Sequence, residues 1–121
     1  MKLTVVSLRA EDVALTAHFY RDVLGLPVAG QHGHIPDFNL NGTYLTIIQG
    51  KTAPKSAMLE PRFPLLALEV TALGEVVTRL RQHAVELPWG IEQGETARWV
   101  MFFDPAGNLI ELVEFSQTAS H

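Results

Sequence analysis

Cysteine is absent from the 121 residues, which excludes disulfides, thiolate metal centres and Cys nucleophiles together. Basic residues are few and scattered, nine Lys and Arg against thirteen Asp and Glu. With a formal net charge of −4 and no basic cluster beyond Arg79 and Arg81, nothing supports nucleic-acid binding. No apolar run is long enough to cross a bilayer. The one that follows Lys2 is broken by Arg9, Glu11 and Asp12, so neither a signal peptide nor a membrane span is expected, and a cytoplasmic protein is the default. The Gly-X-Ser-X-Gly elbow, the phosphate loop and the glycine-rich dinucleotide fingerprint are all missing, which leaves no motif for a nucleophilic hydrolase or a nucleotide enzyme. Charged residues make up only 18% of the chain against 47% hydrophobic, a balance that predicts one packed domain or two small halves sharing a core.

What is present is a pattern of short elements. Residues 3–8 (LTVVSL) are apolar and β-branched, which predicts a strand. Glu11-Asp12 then opens a helical spacing of Val13, Phe19, Tyr20, Val23 and Leu24, with Gly25 as its C-cap. Strands are predicted over 26–32 and 35–40, and Asn41-Gly42 is a two-residue hairpin signal that returns Tyr44 to Ile48 as a strand. Residues 51–64 carry three prolines and no periodicity, and read as an exposed linker. The order then restarts with a strand over 65–70, a helix from Leu73 to His83, a strand around Leu87 to Trp89, and strands 98–103 and 109–115 flanking the turn Asp104-Pro105-Ala106-Gly107-Asn108.

The two halves can be laid over one another. VVSLRA matches LLALEV position for position, which puts Val5 on Leu65 and Arg9 on Glu69. The second hairpins also align without gaps, and Thr46 falls on Glu111. This duplication predicts a single domain over 1–121, with a first module over 1–50, the linker, and a second module over 65–121.

Two stretches, HFYRDVLGLPV (18–28) and WVMFFDPAGNLIELVEF (99–115), resemble the vicinal-oxygen-chelate superfamily of glyoxalases, extradiol dioxygenases, and bleomycin and fosfomycin resistance proteins. The resemblance extends over nearly the whole chain. It implies an α+β fold of two tandem βαβββ modules whose mixed sheets form a cup around a ligand, with helices outside and a homodimer as the usual assembly. Strand alternation then assigns Val5, Ser7, Arg9, Tyr44, Thr46, Ile48, Leu65, Ala67, Glu69, Leu109, Glu111, Val113 and Phe115 to the cup face, while Val6, Leu8, Leu45 and Ile47 face the helix. Trp99 and Met101 are assigned inward.

In metal-using members four equivalent positions hold a divalent ion, and carried over they are Val5, Thr46, Leu65 and Glu111. Only Glu111 is an effective ligand, because Val and Leu have no donor and a neutral hydroxyl is a weak one. No metal or other cofactor is therefore expected. One escape is Gln31-His32-Gly33-His34, whose two imidazoles would share a strand face, although Gly33 and Pro36 favour a solvated turn. His18 belongs on the first helix, His83 near a helix C-terminus, and His121 at a frayed end.

Glu111 therefore stands in an apolar strand with four readings open: metal ligand, general base, hydrogen-bond acceptor for a hydroxyl, amine or guanidine ligand, or structural partner of Arg9 or Arg98. Arg9 and Glu69, equivalent in the two modules, either clamp a charged ligand or face solvent. Tyr44 and Trp99 either wall a flat or cationic ligand or simply pack. Glu92, Gln93 and Glu95 read as a solvated loop. The expected function is binding of a small, partly apolar organic molecule by Ser7, Arg9, Tyr44, Thr46, Glu69, Trp99 and Met101, with Glu111 as the catalytic residue if the protein is an enzyme. The alternative is a glyoxalase-like lyase or dioxygenase with an atypical metal site drawing on Glu111, His32 and His34.

Overall fold

The computed structural model describes residues 1–52 and 64–116. Most of the predicted linker and all of His121 lie outside the described residues. The element order is β1 (Val5–Ala10), α1 (Val13–Asp22), β2 (Val28–His32), β3 (Ile35–Leu40), β4 (Thr43–Gln49), β5 (Leu66–Glu69), α2 (Leu73–Gln82), β6 (Glu92–Gln93), β7 (Ala97–Phe103) and β8 (Leu109–Phe115). This is βαβββ twice, an α+β fold of two tandem modules. Each module makes one four-stranded mixed sheet, in the orders β1-β4-β3-β2 and β5-β8-β7-β6.

By compactness the chain divides into Met1–Lys55 with Asp104–Asn108, and Ser56–Phe103 with Leu109–His121. In the first unit, α1 starts where the Asp12 carboxylate accepts a hydrogen bond from the Leu15 amide at 3.1 Å, an N-cap that satisfies one of the first-turn donors. It ends at Asp22, and Val23, not the predicted Gly25, is the C-cap, its amide donating to the Phe19 carbonyl; Gly25 follows with a φ of +69° that suits glycine. The helix buries Thr16, Ala17 and Tyr20 against Phe38, Leu45 and Ile47. Each large apolar side chain removed from water there contributes roughly 1.5–3 kcal/mol. Asn41 and Gly42 both take positive φ, 56° and 103°, as a hairpin turn matched to strand twist requires.

The turn Asp104–Asn108 belongs to this unit. Asp104 is fully buried and its carboxylate accepts hydrogen bonds from the Tyr20 hydroxyl at 2.7 Å, the amides of Ala106 and Asn108, both at 2.9 Å, and Asn108 Nδ2 at 2.9 Å. The same Nδ2 donates to the Arg9 carbonyl at 2.9 Å. Burial and the adjacent carboxylate push the Tyr20 phenol well above its ordinary value, so it remains a proton donor.

In the second unit, α2 buries Leu73, Val77 and Leu80, and the sheet buries Val100, Phe102, Ile110 and Leu112. Ala72 precedes α2 without a side-chain cap. Glu114 of β8 supplies the acceptor instead, taking the Leu73 amide at 2.9 Å on Oε2 and Arg98 Nε at 2.8 Å on Oε1. Those two donors hold the Glu114 carboxyl below its ordinary value, the backbone amide first. A group depressed in the folded state gives stability that is present above its unfolded pKa and lost as pH falls through the folded one. Glu114→Ala is thus expected to lower Tm at neutral pH and to flatten the acid limb of the stability curve, which thermal melts from pH 7 to 3 would measure.

The predicted strand around Leu87–Trp89 does not form. Pro88 lacks an amide proton, and Gly90, with φ +62°, donates to the Leu87 carbonyl at 3.0 Å, which makes this stretch a turn. The second strand of the second module is instead β6, which begins five residues after Leu87.

Candidate functional site

On each sheet the face turned away from its own helix is legible from register and burial. In the first unit β1 and β4 run parallel, with Val5 beside Tyr44, Ser7 beside Thr46 and Arg9 beside Ile48. Val5, Tyr44 and Ile48 are 48%, 42% and 45% exposed, whereas Leu45 is fully buried, so the predicted alternation is the one observed. Ser7 Oγ and Thr46 Oγ1 hydrogen-bond to each other at 3.0 Å. The Arg9 stem lies along Gly50, where an added Cβ would meet Arg9 Cδ at 2.9 Å. Asp37 was not anticipated. With Pro36 and Phe38 turned to the helix, Asp37 shares the face of Thr46, and its Oδ1 is buried. His34 sits exposed in the β2–β3 turn.

In the second unit Glu111 lies on β8 between Ala67 of β5 and Met101 of β7. Trp99, Met101, Glu111 and Val113 are half-buried on one face. Glu69 pairs with Val113 at the exposed end of β5. Glu92, expected in a solvated loop, is half-buried in β6 opposite Trp99. Its side chain therefore joins the face of Glu111. Gly94 gives the Trp99 ring its room, since a Cβ there would meet Cζ3 at 3.3 Å.

Arg98 does not serve Glu111. It points to the helix side of the sheet and is taken by Glu114. No hydrogen bond or ion pair reaches the Glu111 carboxylate among the described residues. Burial among apolar neighbours raises its pKa, and the like charge of Glu92 raises it further. The group is a partly desolvated acceptor beside a flat indole, a position that suits a hydrogen-bond donor or cation on a ligand.

At the metal positions implied by the resemblance the donors are few. Val5 and Leu65 offer none, the Thr46 hydroxyl is engaged by Ser7, and Glu111 alone has metal-binding chemistry. That donor set does not fit a divalent ion. Among the described residues no three His, Cys, Asp or Glu side chains gather to hold one.

The glyoxalase-like fold is also found by comparison. A glyoxalase/dioxygenase from Nostoc punctiforme superposes with a TM-score of 0.79 at 21% identity, covering 96% of this chain and 92% of that one. A glyoxalase/bleomycin resistance protein/dioxygenase from Nocardioides gives 0.73 at 19% identity, covering 99% and 87%. A mutant of the fosfomycin resistance protein FosX from Listeria monocytogenes, complexed with Mn(II) and 1S,2S-dihydroxypropylphosphonic acid, gives 0.70 at 17% identity, covering 93% and 87%. No curated protein sequence matches the chain. Residues 2–112 match the sequence profile of the Glyoxalase/Bleomycin resistance protein/Dioxygenase superfamily, and the chain belongs to that superfamily.

Proposed function

We propose that this protein binds a small, partly apolar organic molecule on the open face of its second sheet, with Glu111 as the polar anchor and Trp99 and Met101 as walls, and that binding needs no divalent metal. The observation that supports it most is Glu111 itself. Its carboxylate is half-buried among Ala67, Met101 and Val113 with no donor among the described residues. A ligand that donates to it would relieve a desolvated acceptor, an arrangement worth more than the same contact in water. The donor set at the superfamily's metal positions gives second support, since it leaves one carboxylate where that chemistry needs several ligands. Of the histidines in the lyase or dioxygenase alternative, His34 is exposed in the β2–β3 turn, and the side chain of His32 lies outside what the structure describes.

The chain has two tryptophans, Trp99 on the proposed face and Trp89 stacked at a tilt on Phe103 with ring centroids 6.4 Å apart. Ligand titration is expected to change the intrinsic fluorescence saturably. Trp99→Phe should remove most of that change while Trp89→Phe retains it. The reverse pattern would place the ligand elsewhere.

A further inference from the structure

The charges on the open face of the second sheet are of one sign. Glu92 reaches it from β6, Glu111 from β8 and Glu69 from β5. By strand alternation no Lys, Arg or His occupies that face on β5 to β8. The nearest basic strand residue, Arg98, lies on the opposite face and is bound by Glu114. Trp99 stands in register between Glu92 and Val113, so Glu92 is its neighbour on β6 and Glu111 its diagonal neighbour on β8. An indole face attracts cations through its quadrupole. Two carboxylates at its edge, one of them partly desolvated, add to that attraction and repel anions.

We infer that the ligand class of this site is a flat organic cation, an amidinium, guanidinium or protonated aromatic amine, stacked on Trp99 with its N–H groups donating to Glu111 and Glu92. The inference rests on the binding reading given above and narrows it. A planar N–H fork matches carboxylate oxygens in a way that a spherical ion does not. The apolar surroundings, Met101 and Val113, suit the ring that carries the charge. Burial and Glu92 together disfavour the ionised form of Glu111, and a cation on this face offsets both effects.

Three ligands of nearly one shape test the charge alone: benzamidinium, benzamide and benzoate, titrated into the full chain and followed through the Trp99 indole N–H in NMR spectra. Benzamidinium is expected to bind at least about tenfold tighter than benzamide, the scale of one charge-assisted contact beside an indole, with benzoate weakest. Glu111→Gln and Glu92→Gln, both isosteric, should each shrink the ratio of benzamidinium to benzamide affinity. Equal affinity for benzamide and benzamidinium would overturn the cation inference and leave small-molecule binding standing. A cation preference that survives in the double variant would also overturn it. No response to any of the three at their solubility limits would overturn both readings.

Discussion

Asp104→Ala is expected to destabilise the protein by about 3–5 kcal/mol, the range for removing one partner of a buried charged network. The carboxylate collects the Tyr20 hydroxyl, two turn amides and the Asn108 side-chain amide. Deleting it leaves the Tyr20 hydroxyl and the turn amides buried without their acceptor. Tyr20→Phe removes one of these donors and keeps the others, so about 1–2 kcal/mol is expected for it. Whole-domain stability is only roughly 5–15 kcal/mol, and Asp104→Ala should therefore sit near the folding threshold at physiological temperature. Urea denaturation of both variants checks this, and a loss under about 1 kcal/mol for Asp104→Ala would show that the network is not what fixes the turn.

Glu111→Gln should do the opposite to stability and harm binding. A carboxyl whose folded pKa is raised is destabilising while ionised, and that penalty disappears as pH falls through the raised value toward 4.5, the ordinary glutamate figure. The variant is thus expected to melt slightly above the parent at pH 7 and level with it at pH 3. Ligand affinity at neutral pH should fall by about tenfold or more, as expected for replacing an ionised acceptor in a partly buried site. Had Glu111 been a structural ion-pair partner, the same change would lower Tm at neutral pH. Melting curves and titrations on one preparation separate the two.

Much of the fold was legible because its signals are local. The Asn41-Gly42 hairpin and the alternation along β1 and β4 each depend on a few neighbouring residues, and each is observed as read, whereas the C-cap of α1 falls on Val23, two residues before the predicted Gly25. The repeat was legible as well, and the registers place Ser7 beside Thr46 and Ala67 beside Glu111 in equivalent sheets. What escaped depends on long-range pairing. A two-residue strand such as β6 has no period to detect, so Glu92 read as loop. Among the described residues the fully buried carboxylate is Asp104, and its hydroxyl donor, Tyr20, lies 84 residues away, beyond the reach of any local pattern. Arg98 belonged to Glu114, whose partnership also includes the first amide of α2, an end-capping from another element that no helix-local pattern announces.

Metal-independent binding of an organic ligand at the Glu111 face is read by ligand titration of chelator-treated protein, repeated after addition of Mn(II) or Zn(II). Saturable binding with the same affinity in both conditions is expected, weakened by about tenfold or more in Glu111→Gln. Binding or turnover that appears only after the metal is added would contradict metal-independent binding.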